Sequence, residues 1–146
     1  MNLKGKFKRF KSTQTKEECK YFPNNKIELL NIIYKRVEED PYCDLNDVWV
    51  GDITDMGFLF EESPFNGDIS RWDVSNVKDM AYMFSTSKFD GDISSWDVSN
   101  VEYMNNMFFH SAFNSDISDW DVSNVRYMSF MFNSSKFNMD ISSWNT

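Results

Sequence analysis

The side chains best suited to chemistry in this sequence are aspartates that recur every 24 residues in two series. The first series contains Asp68, Asp92, Asp116 and Asp140, and the second contains Asp73, Asp97 and Asp121. If the units stack, each series becomes a column of carboxylates, which are ligands that Ca²⁺ prefers. The surrounding Asp-Val-Ser-Asn differs from glycine-rich calcium repeats, and aspartates at turns commonly accept hydrogen bonds from nearby amides. We therefore expect structural turns at these aspartates, with no bound metal and no cofactor.

The sequence contains few of the other residues and motifs that are common in active sites. His110 is the only histidine, so a multi-histidine metal site is excluded. The sequence contains no glycine-rich phosphate loop and no nucleophile elbow. Cys19 and Cys43 form no Cys-x-x-Cys motif, and we expect two reduced thiols. Together these observations favour a protein that is not an enzyme.

The elements that position the aspartates belong to one repeated unit, which is clearest at residues 89–108. Four tryptophans and four phenylalanines share its spacing: Trp72, Trp96, Trp120, Trp144, Phe65, Phe89, Phe113 and Phe137. Asp-Val-Ser-Asn-Val occurs at 73–77, 97–101 and 121–125, and Met-x-x-Met-Phe follows each copy. A unit of this length cannot cover its own apolar face, so neighbouring units must stack and align identical side chains in columns.

The unit predicts an α/β solenoid that is similar to leucine-rich repeats. Phe-x-x-Asp-Ile-Ser places a β-branched residue between polar neighbours, which is typical of a short strand. Val-x-x-Met-x-x-Met-Phe has apolar residues three apart, which is typical of two helical turns. Each rung is therefore expected to hold one short parallel strand and one short helix. Asn76, Asn100 and Asn124 are expected to form a structural ladder of side-chain amides.

Three segments are predicted along the chain: a basic flexible arm at 1–24, an N-terminal capping helix at 25–40, and the repeats at 41–146. The repeats comprise a degenerate first unit at 41–64, regular units at 65–88, 89–112 and 113–136, and a partial unit at 137–146. Asn25 is a good N-cap, and Glu28 three residues later completes a capping box. The apolar stripe predicted to cover the first rung contains Ile27, Leu30, Ile33, Tyr34 and Val37.

Charge and hydropathy limit the possible partners. The net charge is −8. Residues 1–20 carry seven Lys or Arg against two Glu, whereas residues 41–146 carry five Lys or Arg against seventeen acids. This acidic body argues against nucleic-acid binding, which needs a positive face. No apolar run is long enough to span a membrane and no signal peptide is recognisable, so a cytoplasmic location is expected.

One stretch resembles a known repeat family. Residues 65–84 read Phe-Asn-Gly-Asp-Ile-Ser-Arg-Trp-Asp-Val-Ser-Asn-Val-Lys-Asp-Met-Ala-Tyr-Met-Phe. This resembles the bacterial surface protein repeat family of the BspA-like, mycoplasma-lipoprotein type, over about residues 26–146. The resemblance implies a solenoid related to leucine-rich repeats, a role in recognition and no enzymatic activity. Family members often lie on cell surfaces, but this sequence shows no signal peptide or lipobox cysteine, which favours an intracellular copy of phage or mobile-element origin.

Positions that differ between units are the candidate binding residues, because stacking explains the shared ones. Those predicted to face outward as an aromatic patch are Tyr82, Tyr103, Phe109, His110, Arg126, Tyr127 and Phe130. Exposed aromatic residues and arginine are enriched at the centres of protein interfaces. We therefore expect a non-catalytic module that binds a protein partner, as an inhibitor or adaptor. A second interpretation is that the aromatic side chains only widen the contact between rungs.

Three further hypotheses stay open. The acidic body could act as a decoy that mimics nucleic acid and occupies a basic groove. The chain could be an adhesin-type surface repeat protein that lacks its export signal. The uncapped C-terminal end could pair two copies into a homodimer, with Trp144 as the contact.

Overall fold

The computed structural model describes residues 13–145, and this range contains two helical segments. A 3₁₀ turn spans Lys16–Glu18, and the helix α1 spans Lys26–Glu39. Extended strands are absent from the described range, where parallel pairing is limited to isolated bridges. No helix in this part of the chain is long and apolar enough to cross a membrane.

After α1 the chain forms 24-residue coils that lie on one another in register. Isolated parallel bridges join Asp55 to Asp79, Asp79 to Tyr103 and Tyr103 to Tyr127, at the same position of successive coils. A further bridge joins Asp44 to Asp68. Each of these four bridges pairs residues one repeat apart, so the sequence period is also the spatial period of the coils.

Identical aromatic side chains stack along the interior of the coils. The tryptophan rings lie nearly parallel with centroids 6.4–6.5 Å apart, in the order Trp72, Trp96, Trp120 and Trp144. The phenylalanine rings do the same at 5.9–6.2 Å, in the order Phe65, Phe89, Phe113 and Phe137. The columns of Trp and Phe predicted from the sequence are therefore present. They form the hydrophobic core of the described residues together with the valine, isoleucine and methionine side chains.

Each buried indole also has a hydrogen-bond partner in the preceding coil. The Nε1–H of Trp96 donates to the Ile69 carbonyl at 3.0 Å, and the other three tryptophans of this column make the equivalent bond. A buried indole without such a partner is costly, so this bond keeps Trp at the position while its ring fills the core. The predicted asparagine ladder is confirmed: Asn76, Asn100 and Asn124 donate to backbone carbonyls of the coil before them at 2.6–2.7 Å.

The prediction of a helix in each rung is wrong, because the segment that predicted it consists of successive β-turns. The Met83 N–H bonds to the Met80 carbonyl at 3.2 Å, which closes a β-turn of four residues. The Tyr82 N–H between them bonds outward, to the Asn105 carbonyl of the next coil at 3.1 Å. Tyr82 has a φ of 59°, a left-handed value that no α-helix contains. The apolar spacing of three is therefore the step of a turn.

The predicted strand in each rung is also wrong. At Asp92 the carboxylate accepts the Ser94 N–H at 3.0 Å, which is an Asx turn. A second turn follows at once, because the Trp96 N–H bonds to the Ile93 carbonyl at 3.2 Å. These local bonds use the amides that a strand ladder would need. The α/β solenoid with a strand and a helix in every rung is therefore replaced by a stack of turns.

The helix α1 covers one end of the stack. The Asn25 side chain caps it by accepting the Glu28 N–H at 2.9 Å. The Glu28 carboxylate accepts from the Asn24 N–H at 2.6 Å, one residue earlier than a capping box requires. The buried face contains Leu29, Ile33 and Val37. The predicted stripe was partly wrong, because Ile27 and Tyr34 are 71% and 63% exposed.

The predicted basic arm lies only partly within the described residues, since residues 1–12 are outside them. Residues 13–24 lie against the first coils. Gln14 is 4% exposed, and its side chain donates to the Asn46 and Val48 carbonyls at 3.0 and 2.9 Å. Arg71 of the next coil donates to the Glu18 carboxylate at 2.7 Å.

Candidate recognition surface

Five aromatic residues on the outside of the turns form what we call the aromatic edge: Phe58, Tyr82, Tyr103, Tyr127 and Phe130. The rings of Tyr103 and Tyr127 stack at 4.9 Å with an angle of 5° between their planes. The rings of Phe58 and Tyr82 stack at 4.7 Å with the same angle. Phe130 is 63% exposed and completes the register of Phe58 and Tyr82 in the last full coil. The two ring stacks lie at two coil interfaces, and Phe130 adds an exposed ring on the last full coil.

The backbone holds these rings in place through bonds between coils. Tyr103 and Tyr127 are bridged residues, and the Met104 N–H donates to the Tyr127 carbonyl at 2.8 Å. Tyr82 and Phe130 lie at turn positions with φ of 59° and 56°. Such left-handed values cost energy for a bulky residue. They recur at the same position in every coil, including Asn106 at 58°, so this conformation belongs to the coil and not to a special site.

The structure brings together some of the predicted binding residues but not all. Tyr103 pairs with Tyr127, whereas Tyr82 pairs with Phe58, which the sequence interpretation missed. Phe58 precedes Tyr82 by one period, so the repeat register was the signal that could have found it. Phe109 and His110 make an edge-to-face contact at 4.3 Å, further along the turn segment.

Arg126 is the cationic member of the predicted patch. Its Nε lies 3.4 Å from the Glu102 carboxylate of the preceding coil, while its side chain stays 74% exposed. Lys78 lies 4.0 Å from the same carboxylate on the other side. An exposed ion pair of this kind contributes little to stability. Arg126 is therefore available to a partner beside the Tyr103–Tyr127 stack.

The aspartate columns are used in turns. The second series, Asp73, Asp97 and Asp121, accepts both the amide and the hydroxyl of the serine two residues later, at 2.6–3.1 Å. Hydrogen bonds from the Ser123 hydroxyl and amide lower the pKa of Asp121, and those from the Ser142 amide and hydroxyl lower the pKa of Asp140. Among residues 13–145, no three Asp, Glu, Cys or His side chains converge as a metal site would need.

The open side of the last coil is apolar. Trp144, the predicted dimer contact, is partly buried and stacks on Trp120 at 6.4 Å with 4° between the planes. A groove of about 430 Å³ beside it is lined by Met128, Phe130, Met131, Phe132, Asn133, Ile141 and Trp144. Phe130 lines this groove and also belongs to the aromatic edge, and the other lining residues are not part of the edge.

Comparison with known proteins identifies a family but no characterised relative. No curated protein and no solved structure matches the chain. Residues 28–144 match the family described as "Mycoplasma protein of unknown function, DUF285". This match agrees with the mycoplasma part of the resemblance seen in the sequence, while the leucine-rich-repeat part finds no support. Because the match covers most of the sequence, the chain belongs to this family of mycoplasma proteins of unknown function.

Proposed function

We propose that this protein is a non-catalytic recognition module, an inhibitor or adaptor, that binds a protein partner through the aromatic edge. The observation that carries the proposal is the two outer ring stacks, Tyr103 with Tyr127 and Phe58 with Tyr82, in which Tyr82 is half-buried and the other three rings are exposed. Tyrosine side chains on a rigid support lose little conformational entropy on binding, and they are frequent among residues that dominate interface energies.

The coil itself does not need these aromatic side chains. Asp55 and Asp79 stand where Tyr103 and Tyr127 stand, and they form the same parallel bridges. Asn106 stands where Tyr82 stands and has the same left-handed φ. Three coils therefore keep their geometry with a polar residue at one of these positions. Stacking of the coils does not account for the aromatic residues, which supports a role toward a partner.

The test replaces the aromatic residues by the polar ones that the chain already uses in the same register. The double substitution Tyr103→Asp with Tyr127→Asp preserves the bridges, because Asp79 accepts the Ala81 N–H at 2.9 Å in an Asx turn. Immobilised protein is exposed to lysate of the cells that produce it, and captured proteins are quantified by mass spectrometry. We expect capture of the main partner to fall at least about tenfold, which is about 1.4 kcal/mol.

Matched controls remove exposed aromatic residues elsewhere. Tyr34 and Tyr42 are 63% and 72% exposed and lie on and just after α1. The variants Tyr34→Asn and Tyr42→Asn should capture the partner like the unmodified protein. Equal capture by the double variant would remove the aromatic edge as the binding site.

A second candidate function is the acidic decoy, and one observation favours it. A shallow groove of about 420 Å³ is lined by Ser94, Ser95, Trp96, Asp97, Val98, Ser99, Asp119 and Asp121. Three carboxylates on adjacent coils give this groove a negative potential that a basic partner would match. The decoy predicts that affinity falls steeply with salt, whereas the aromatic edge predicts a shallow decrease. A salt titration of the captured complex separates the two.

A further inference from the structure

The Gln14 side chain shows how two adjacent coils bind a primary amide. Gln14 is 4% exposed and lies where the coil of residues 41–64 meets the coil of residues 65–88. Its side-chain NH₂ donates to two carbonyls, its side-chain oxygen accepts from two N–H groups, and its backbone N–H donates to a third carbonyl. These partners are, in that order, the Asn46 and Val48 carbonyls, the Val50 and Asp73 N–H groups, and the Arg71 carbonyl, at 2.7–3.3 Å. Five backbone groups therefore form a site for a glutamine, which we call the Gln14 site.

The same five backbone groups recur two repeats later, where the coil of residues 89–112 meets the coil of residues 113–136. They are the carbonyls of Ser94, Trp96 and Asp119 and the N–H groups of Val98 and Asp121. None of the five forms a hydrogen bond to a group within residues 13–145. All five residues line the groove of about 420 Å³ described above. This groove therefore presents the same set of donors and acceptors that binds Gln14.

One position distinguishes the coil interfaces along this register. The Ser95 hydroxyl donates to the Ser70 carbonyl at 3.3 Å, and the Ser143 hydroxyl donates to the Ser118 carbonyl at 2.8 Å. Each serine therefore uses the carbonyl that corresponds to Asn46 in the Gln14 site. Asp119 stands at the serine position in the groove, and an ionised carboxylate has no proton to donate. The Ser94 carbonyl therefore remains available to a donor from outside the coil.

We propose that the groove at Asp119 binds a glutamine side chain presented by a segment of another protein, through the same bonds that hold Gln14. A side-chain amide offers both the two donors and the acceptor that these backbone groups need. Gln14 is the only glutamine in the sequence and is already bound, so no other residue of the sequence can supply this side chain.

The charge at the rim of the groove specifies a neighbour of that glutamine. In the Gln14 site, Arg71 donates to the carboxylate of Glu18, four residues after Gln14, at 2.7 Å. Asp119 stands in the register of Arg71, so the charge at this point of the groove is reversed. The segment that fits best therefore has lysine or arginine four residues after its glutamine.

This ligand differs from those of the two functions proposed above. No residue that lines the groove belongs to the aromatic edge, so the site is independent of partner binding at Tyr103 and Tyr127. A basic surface bound by the acidic decoy would match the carboxylates, but lysine and arginine side chains have no acceptor for the Val98 and Asp121 N–H groups. The glutamine supplies that acceptor.

The probe is a synthetic peptide with the sequence of residues 13–18 and the substitution Glu18→Lys, added to the ¹⁵N-labelled full chain. We expect saturable shifts of the Val98 and Asp121 amide signals with a Kd on the order of 1 mM, because a few neutral hydrogen bonds give weak affinity. The same peptide with Gln14→Ala should bind at least about tenfold more weakly. No binding at about 10 mM peptide overturns the proposal, and equal binding of both peptides overturns it in favour of the acidic decoy.

A variant of the protein closes the groove with a group that the chain already uses. Asp119→Ser places a hydroxyl in the register of Ser95 and Ser143, where it should donate to the Ser94 carbonyl. Peptide binding should weaken at least about tenfold. A thermal melt shows that the variant is folded, and unchanged binding by folded Asp119→Ser would refute the site.

The matched control removes one negative charge outside the groove. Asp90→Asn preserves the hydrogen bond that the Asp90 carboxylate accepts from the Asn114 N–H, because Asn66 and Asn114 accept the same bond in the coils before and after. Asp90 does not line the groove, so this variant should bind the peptide normally. An equal loss of binding in Asp90→Asn and Asp119→Ser would mean that net charge alone attracts the peptide, which contradicts the proposal.

A charge reversal tests the predicted neighbour. Asp119→Arg restores the residue type of Arg71, so the unmodified peptide of residues 13–18, with Glu18, should now bind better than the Glu18→Lys peptide. An unchanged order of the two peptides would contradict the assigned register. Tyr103→Asp with Tyr127→Asp should bind the peptide normally, and a loss of binding there would place the peptide on the aromatic edge instead.

Discussion

The inner and outer aromatic columns of the same coils differ in their exposure and in how constant the residue type is from one unit to the next. Inside, Phe89 and Trp96 are 0% and 4% exposed, and the same residue types return in every regular unit. Outside, Tyr103 and Tyr127 are 41% and 54% exposed, and the earlier coils carry aspartate at this position. The comparison shows that stacking fixes the residue type where a ring must fill the core, and at the tryptophan position the indole must also reach a carbonyl of the preceding coil. The outer positions are free for another role.

The largest expected effect comes from breaking an inner column. Trp96→Ala should destabilise the protein by about 3–5 kcal/mol, because it leaves a cavity between Trp72 and Trp120 and removes the donor to the Ile69 carbonyl. Trp144→Ala at the open side should cost less, about 1–2 kcal/mol, since that ring is only partly buried. Urea denaturation measures both. Equal losses would mean that the open side is packed in solution, as it would be in a dimer.

A smaller effect is expected from Gly67, where two coils approach closely. A Cβ at this position would overlap the Cys43 carbonyl of the preceding coil. Gly67→Ala should therefore destabilise the protein by about 1–3 kcal/mol. Gly91→Ala is the matched control, because its Cβ would meet the Phe89 ring at 2.6 Å much as that of Gly67→Ala meets the Phe65 ring at 2.7 Å, whereas its nearest backbone atom is 3.4 Å away. The next coil already has Ser115 at this position. Similar losses for both variants in thermal denaturation would contradict the proposed contact.

The aspartate turns give a prediction on pH. Hydrogen bonds from Ser123 lower the pKa of Asp121 in the folded protein. A depressed folded pKa favours the folded state above the unfolded pKa, and this contribution is lost as the pH falls through the folded value. Ser123→Ala removes the hydroxyl, so the pKa of Asp121 should move up toward its ordinary value. A ¹³C NMR titration of the carboxyl group measures the shift, with Ser129→Ala as a control outside the turn.

The smallest expected effect on stability is at the outer column. Tyr103→Asp with Tyr127→Asp should change the free energy of unfolding by less than about 1 kcal/mol, because the same register already accepts Asp55 and Asp79. The loss should appear only in partner capture. A large destabilisation would mean that the outer rings mainly hold the coils together, which was the second interpretation of the sequence.

The periodic residues were predictable because identical residues recur at a fixed spacing, which shows which positions of successive coils lie on one another. The Trp and Phe columns, the Asn76–Asn100–Asn124 ladder and the Asn25 cap all follow from identity at fixed spacing or from side-chain chemistry. Phe58 was missed because the first unit has drifted from the motif, although the period points to it. The helix predicted in each rung failed because a spacing of three between apolar residues is shared by helices and by consecutive turns. The strand predicted in each rung failed because the Asx turn at Asp92 and the turn after it use the amides that a strand ladder would need. The predicted stripe of α1 was right for Ile33 and Val37, but it missed Leu29 and placed Ile27 and Tyr34 on the buried face.

The sequence by itself determined the 24-residue period, the residues that stack, and the positions that vary. Only the tertiary structure decided how each unit is folded. Hydrogen bonds between coils, such as that from the Tyr82 N–H to the Asn105 carbonyl, use the amide groups that a helix or a strand would have used. Those partners lie a full repeat away along the chain, so local sequence preferences do not report them. The tertiary structure also decided that the outer rings form two separate stacked pairs, because ring contacts depend on which coils carry aromatic residues at the same register.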